Sequence, residues 1–440
     1  MIGGLLDLRR QLTDGQRNAA ALIEDCLTRI EAANPDLNAF IRIEADSARA
    51  AANEADRRYR SGRARPLEGL PIAVKDNLDL TGSPTTAGML TRKDRVAQSD
   101  AGVVRRLKAA GAVIIGKLNM TEAALGADGR NPHYGDCHNP LRHGYSPGGS
   151  SSGSAAAVAA GLVPAALGTD TMGSIRIPAA YCGIWGLKPS YGLISTAGSV
   201  AVSRRLDHVG PLASCPADLE LLLDVLAGFD PACPVARPIQ LSEPLETFTL
   251  GVPDLSAVDL EPAVEQIWRS TQESLREGGF RLHPLPAWPI RAGRIRRAGL
   301  LLCEAEMLAE HGPDWAASRA AFSPMLQTLM EWAEHQSAAQ LAEAMRRIDA
   351  ARLAVNRWLT ACDFVMLPTT PQHAFRLDDS TPVNQADLTC LANCAGLPAI
   401  TLPLPRTAGA LPCGVQLVGA HGGDRGVIKA ADQIHKALQA

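Results

Sequence analysis

Residues 146–191 read SPGGSSSGSAAAVAAGLVPAALGTDTMGSIRIPAAYCGIWGLKPSY. Small residues and serines dominate this stretch, and it contains no histidine. Ile175, Ile177, Ile184, Trp185 and Leu187 would be wasted in a flexible tether, so a Gly/Ser linker is excluded. The Ala-rich run Ser152–Ala160 predicts a helix, and Leu162–Gly168 predicts a strand after it. Small residues let backbones approach closely and adopt the unusual φ/ψ of an anion-binding turn. Ser150 and Ser174 flank the excursion. A helix of roughly nine residues runs about 14 Å, and a strand of about six returns near 20 Å. Two serines from separate loops can therefore share one site.

Outward from this stretch the pattern alternates between helix and strand. Leu22, Ile23, Cys26, Leu27 and Ile30 form an amphipathic stripe, and a second helix is expected over 45–59, so residues 1–62 read as a helical segment. Gly69–Lys75 predicts a short buried strand that ends in a lysine. A helix over 100–110 leads into the β-branched strand Val113–Ile115. Residues 126–153 read as a long ordered loop, and 230–247, with many prolines, as a connector. Beyond it come a strand at Thr249–Pro253 and a helix over 261–277. Long helices are expected over 293–310 and 339–360, within a more variable part at about 230–360. Strands are expected near 364–367, 399–402 and 414–418, and a helix over 424–438 closes the chain. This alternation predicts an α/β layered fold with a largely buried mixed sheet.

The chain has 440 residues, 46% of them hydrophobic and 20% charged, enough for a large core. A net charge of −3 gives no general pull toward nucleic acid or anionic lipid. With only 4% aromatics it is also a poor stacking platform for single strands. The start MIGGLLDLRRQL lacks the charged and apolar regions of a secretory signal. No run is long and apolar enough for a membrane span. The ten cysteines include no Cys-x-x-Cys and read as reduced core residues of a cytoplasmic protein.

Several motifs are decoys. Gly111–Leu118 matches Gly-x4-Gly-Lys, but its Val-Ile-Ile interior favours a strand over a phosphate loop, and Leu118 stands where Ser or Thr would hold magnesium. Gly149-Ser-Ser151-Ser-Gly153 matches the nucleophile elbow Gly-x-Ser-x-Gly, yet the residues before it cannot form the strand that an elbow requires. His133, Cys137, His138 and His143 cluster in one loop without a standard zinc spacing, and Cys390 and Cys394 read as core. No metal or cofactor is expected.

Two serines without a histidine need another base. Lys75, at the end of an apolar strand, suits the role, because burial disfavours its ammonium form. It suits equally a buried ion pair with Asp76 or Asp170.

At this point the sequence resembles the amidase signature family. The resemblance is carried by GLPIAVKDNLD (69–79), LKAAGAVIIGKLNMTE (107–122), NPLRHGYSPGGSSSGSAAAVAAGLVP (139–164) and LGTDTMGSIRIPAAYCGIWGLKPSYG (167–192), with LDHVGPLA (206–213), GLPAITLP and PCGVQLVG beyond. It spans most of the chain. It implies an α/β/α sandwich around a large mixed sheet, with 63–440 as one catalytic unit. It also implies a Ser–cis-Ser–Lys triad: Ser174 as nucleophile, Ser150 as bridge, Lys75 as base, and a non-proline cis peptide at or beside Ser150. Backbone N–H groups of Thr171, Met172, Gly173 and Ser174 would hold the oxyanion during acyl transfer. Ser151, Asp170, Arg176 and Arg130 are the candidates for binding substrate or ordering the site. Arg176 would either bind a substrate carboxylate or pair with Asp170, and Arg130 would either bind substrate or lie exposed.

Two positions depart from the family pattern. Met172 stands where a glycine is usual in the oxyanion turn, and Ser152 where a second glycine is usual. The SSSGS form resembles malonamidase-like members, while CGIWGLKPSYG and LDHVGPLA look closer to carboxybiuret-hydrolase-like and amidotransferase-like members. The resemblance implies a stand-alone amidase for a small, carboxylated amide, with water as co-substrate. The runner-up is the glutamine-hydrolysing subunit of a tRNA-dependent amidotransferase, with a partner subunit and an ammonia tunnel. The chain's short length beyond the signature region counts modestly against that runner-up. A scaffold without activity is a third reading. A homo-oligomer is expected, with room for a small partner subunit and no direct contact with nucleic acid or membrane.

Overall fold

A computed structural model describes residues 2–287 and 291–439. Its eleven strands form one sheet: β1 (Phe40–Ile43), β2 (Pro71–Lys75), β3 (Val113–Leu118), β4 (Ala165–Asp170), β5 (Trp185–Lys188), β6 (His208–Ala213), β7 (Thr249–Pro253), β8 (Arg281–Leu285), β9 (Phe364–Pro368), β10 (Ala399–Pro403) and β11 (Gly414–Val418). They lie in the order β1-β3-β2-β4-β6-β5-β10-β11-β9-β7-β8. The sheet is mixed. β3, β2 and β4 run parallel, whereas β6 is antiparallel to both β4 and β5. Helices pack against it, as the alternation of elements requires.

Burial follows position. Every residue of β2, β3, β4, β5, β6, β9 and β11 is buried, which explains their apolar composition. The edge strands β1 and β8 are mostly exposed or half-buried, with only Phe40 and Leu285 buried, and β8 carries exposed Arg281, His283 and Pro284. A charge and a proline blunt an edge against pairing with other chains.

The N-terminal segment departs from the all-helical expectation. Helices Leu5–Thr13, Ala19–Leu37 and Ala45–Arg60 are present, but Phe40–Ile43 joins the sheet as an edge strand, paired antiparallel with β3. Four residues, FIRI, are too few for a clear period. Strand β5 lies in 168–191, a stretch rich in loop signals, and β6 in a stretch to which no element was assigned. Gly186 weakens one pattern, and Gly210-Pro211 looks like a strand breaker in the other. The long helices occur at Ala292–Ala317 and Ala338–Trp358, with Pro324–Glu334 as an additional helix between them. No helix or strand occurs in 230–247, where a connector was expected.

The register of β2 on β4 positions the site. Ile72, Ala73 and Val74 pair with Ala165, Ala166 and Leu167. The carboxyl ends of both strands therefore emerge side by side, the position where open α/β sheets place ligands. Lys75 ends one strand and Asp170 the other.

Candidate active site

Lys75 is fully buried. Its Nζ lies 2.7 Å from Ser150 Oγ and 2.8 Å from Thr169 Oγ1, and Asn77 Nδ2 donates to the same threonine oxygen at 3.1 Å. Neither carboxylate suggested as its ion-pair partner takes that role. Asp76 pairs with Lys117 at 2.9 Å, and Asp170 pairs with Arg176. Burial pulls the Lys75 amine down to about 7, with Asp170 and Asp207 opposing. An amine that titrates near neutrality can take up or release a proton under ordinary conditions.

Ser150 is buried, and the Gly149–Ser150 peptide is cis. The helix Ser152–Ala159 follows at once, made of small residues and almost completely buried. Gly153 explains why small residues are required: a Cβ there would collide with Ala39 O and lie 2.6 Å from Asn119 N.

Asp170 builds the turn that presents Ser174. Its carboxylate accepts the N–H of Gly173 at 2.8 Å and of Ile175 at 3.1 Å. Arg176 grips it with two nitrogens, each at 3.0 Å, and Asn393 Nδ2 donates at 2.8 Å. Burial alone would raise this carboxyl. The charge and hydrogen bonds of Arg176, with Lys188 and Asn393, hold it well below the usual carboxylate range instead. Arg176 is fully buried, and it also donates to Gln416 Oε1 at 2.9 Å and Asn393 Oδ1 at 2.6 Å. Its donors are spent on the fold, so it orders the turn and does not reach a substrate.

Three further contacts fix the turn. Thr171 Oγ1 donates to Asp207 at 2.6 Å, Thr389 Oγ1 donates to Met172 O at 2.7 Å, and the Ser151 N–H donates to Ser174 O at 3.2 Å. Gly173 has φ +133°, and a side chain there would run into Thr389. The Gly173 N–H is already committed to Asp170, so of the four amides expected to face an oxyanion this one is occupied.

Ser174 is 9% exposed and opens onto a cavity of about 320 Å³. Leu125, Ile177, Leu300, Met325 and Leu329 make much of its wall apolar, and Met172, Arg296 and Gln385 also line it. The Met172 side chain turns toward the long helix Ala292–Ala317. Its Sδ and Cε come within 3.2 Å of where a Cβ on Gly299 would stand.

The other expected residues fall differently. Ser151 Oγ donates to Thr169 O at 3.1 Å and accepts the Thr169 N–H at 3.2 Å, so it is a clasp on β4. No strand precedes it, as an elbow would require. Arg130 is neither exposed nor in the cavity wall. It is half-buried, donating to Thr381 Oγ1 at 2.6 Å and to the carbonyls of Leu377 and Asp379. Lys117 of the Gly-x4-Gly-Lys motif lies inside β3. His133 contacts Glu122 at 2.8 Å, and His138 stacks on His143. Among the described residues no group of three or more His, Cys, Asp or Glu side chains could hold a metal.

Sequence reasoning missed Thr169, Asp207, Thr389, Asn393 and Arg296. Thr169 had a local signal, a hydroxyl on a buried strand one residue from its end. The others lie 33 or more residues from Ser174 and gave none.

A family model described as Amidase matches residues 21–428. The chain belongs to the amidase family. This amidase is 38% identical over 443 residues to the A subunit of the glutamyl-tRNA(Gln) amidotransferase of Chloroflexus aurantiacus, a match covering 93% of this chain and 91% of that protein. Among solved structures it resembles an s-triazine catabolic enzyme from a vestigial protein complex, inhibitor-bound. There the TM-score is 0.91 with 32% identity, over 99% of this chain and 98% of that one. It also resembles the corresponding glutamyl-tRNA(Gln) amidotransferase subunit of Thermotoga maritima, with TM-score 0.80 and 30% identity over 95% and 91% of the two chains. The fold is that of amidase signature enzymes, and the protein is an enzyme of amide C–N bonds. The amidotransferase relatives are matched over most of their own length, which removes the length argument against that reading. Among the described residues, no helix is long and apolar enough to cross a membrane.

Proposed function

We propose that this amidase hydrolyses a carboxamide through an acyl-enzyme on Ser174. The observation that carries the reading is the contact of Lys75 Nζ with Ser150 Oγ, beside a turn that offers Ser174 to the cavity. Neutral Lys75 takes the proton of Ser150 as Ser150 takes that of Ser174. Ser174 Oγ attacks the carbonyl carbon, and the charge moves onto oxygen. With the Gly173 amide engaged by Asp170, the N–H groups of Thr171, Met172 and Ser174 receive that oxyanion. A donor of this kind is worth roughly 3–4 kcal/mol. The C–N bond breaks as Ser150 returns a proton to nitrogen and Lys75 reprotonates Ser150, and ammonia leaves. Water then attacks the ester by the same relay and releases the carboxylate and free Ser174.

The glutamyl-tRNA(Gln) amidotransferase relatives favour glutamine as the amide, with a partner subunit taking the ammonia, over a free-standing hydrolase. The second reading, a small carboxylated amide, rests on the likeness of the SSSGS form at 150–154 to malonamidase-like members.

The deciding experiment is fluorophosphonate labelling together with ammonia release from glutamine and a panel of small amides, with and without amidotransferase partner subunits. Ser174→Ala abolishes both signals, Lys75→Ala nearly so, and Ser151→Ala leaves Ser174 labelled. Label retained in Ser174→Ala but lost in Ser151→Ala would overturn the assignment. Glutaminase activity that requires a partner would select the first reading over the second.

A further inference from the structure

We propose that the pocket lined by Arg205, Arg237, Arg352 and His421 is a second ligand site, built to hold a phosphate group. The inference goes beyond the acyl-enzyme reading and does not depend on it. The pocket has a volume of about 410 Å³, and Tyr191 and residues 393–396 complete its wall. It shares no lining residue with the cavity onto which Ser174 opens. Its cations come from distant parts of the chain. Arg205 precedes β6, Arg237 lies in the proline-rich connector 230–247, Arg352 in the helix Ala338–Trp358, and His421 before the final helix Asp424–Gln439. Folding alone brings them to one place.

The charge of the pocket is not balanced by the protein. Among the described residues no Asp or Glu lines it. Asp349, outside the wall, takes Arg205 Nη2 at 2.9 Å and Arg352 Nη2 at 3.3 Å on the same oxygen, so that trio stays net positive. Arg237 adds a further charge. Its side chain is exposed and forms no hydrogen bond or ion pair among the described residues. Like charges gathered in a concavity focus the field there and favour an anion that joins them. One guanidinium fork suffices for a carboxylate, whereas several forks converging on one space suit a phosphate dianion with its three terminal oxygens. The Tyr191 ring is anchored by its hydroxyl, which donates to Arg204 O at 2.7 Å, and with Cys394, Ala395 and Gly396 it offers surface for an organic part. A nucleic-acid backbone would call for cations along a stripe. Here they converge on one pocket, in a chain of net charge −3. Free phosphate and a small phosphate ester both supply the chemistry.

The test is calorimetric titration of inorganic phosphate and glycerol 3-phosphate into wild type, Arg237→Gln, Arg237→Lys and Ser174→Ala at low ionic strength, with succinate and a short RNA oligonucleotide as comparisons. Wild type is expected to bind phosphate, and succinate roughly tenfold or more weakly. Arg237→Gln should weaken phosphate binding roughly 10–100-fold, with Arg237→Lys between, because lysine keeps the charge but not the fork. Arg237 has no partner to lose, so the variant should fold normally and release ammonia at the wild-type rate. Ser174→Ala should bind phosphate as wild type does, whatever the fate of the acyl-enzyme reading. Tighter binding of glycerol 3-phosphate assigns an organic phosphate as the ligand, and equal or weaker binding assigns the free ion. No binding to wild type, or equal affinity in Arg237→Gln, would overturn the site. Loss of binding in fluorophosphonate-labelled protein would place the anion in the Ser174 cavity and overturn it as well. Succinate bound as tightly as phosphate, or RNA bound in preference to both phosphates, would overturn the ligand class.

Discussion

Lys75 Nζ stands 2.7 Å from Ser150 Oγ, while the adjacent Asp76 is paired with Lys117 and the nearby Asp170 with Arg176. Both carboxylates that could have been its ion-pair partners are thus taken by other cations. The lysine is left buried against two hydroxyls, an environment that stabilises the neutral amine.

The first prediction concerns pH. The proposed relay needs neutral Lys75, so kcat/KM should rise as pH rises through about 7. Stability carries the same signature. The folded amine titrates near 7 and an unfolded lysine near 10.4, so between these values the unfolded chain binds the extra proton and stability rises with pH. Lys75→Met should lower kcat by about 10³-fold or more and flatten the stability slope between pH 7 and 10 in urea melts. A wild-type slope retained in the variant would show that another group is responsible.

A second expectation concerns Arg176. Arg176→Met leaves a buried Asp170 without its cation, and the cost should be about 3–5 kcal/mol in denaturant unfolding. Asp170 is depressed in the folded state, so its contribution is present above about pH 4 and is lost as pH falls below that. The variant should therefore lose its acid tolerance, with an unfolding midpoint moved toward pH 4. A loss under 1 kcal/mol would contradict the pairing.

Met172 should limit the acyl group. Its side chain lines the cavity and fills space against Gly299. Met172→Gly is expected to raise kcat/KM for a bulky acyl amide relative to acetamide by roughly tenfold. The lost contacts should cost about 1–3 kcal/mol of stability. An unchanged substrate ratio would remove Met172 from the specificity wall.

Arg130 ties residues 377–381 to the body of the protein, and Thr381, Pro382 and Val383 continue from there into the cavity wall. Arg130→Ala should raise KM several-fold while kcat stays within about twofold, because the segment is loosened but Lys75, Ser150 and Ser174 are untouched. A kcat effect without a KM effect, in steady-state ammonia release, would argue against this role.

Much of the architecture was legible because local pattern reports local burial. Strands β2, β3, β9, β10 and β11 announced themselves through short, mostly apolar runs, and the final helix through its period. Short or interrupted strands gave no such signal. FIRI of β1 has too few residues, and Gly210-Pro211 interrupts the apolar pattern of β6. Each is held by its neighbours in the sheet, not by its own propensity.

The sequence by itself determined the α/β layering, the small-residue loops around Ser150 and Ser174, and Lys75 as a buried amine. These follow from composition and spacing within a few dozen residues. Only the tertiary structure decided how the buried charges pair. Lys75 and Asp76 are neighbours in the chain, but Lys75 is the last residue of β2 and Asp76 begins the turn that leaves it. Asp76 therefore meets Lys117 from β3, not its neighbour. Distance along the chain also hid Arg296, which reaches the cavity from a helix more than 100 residues beyond Ser174. Periodicity shows which side of an element faces inward, but register and packing between distant elements determine what it meets there.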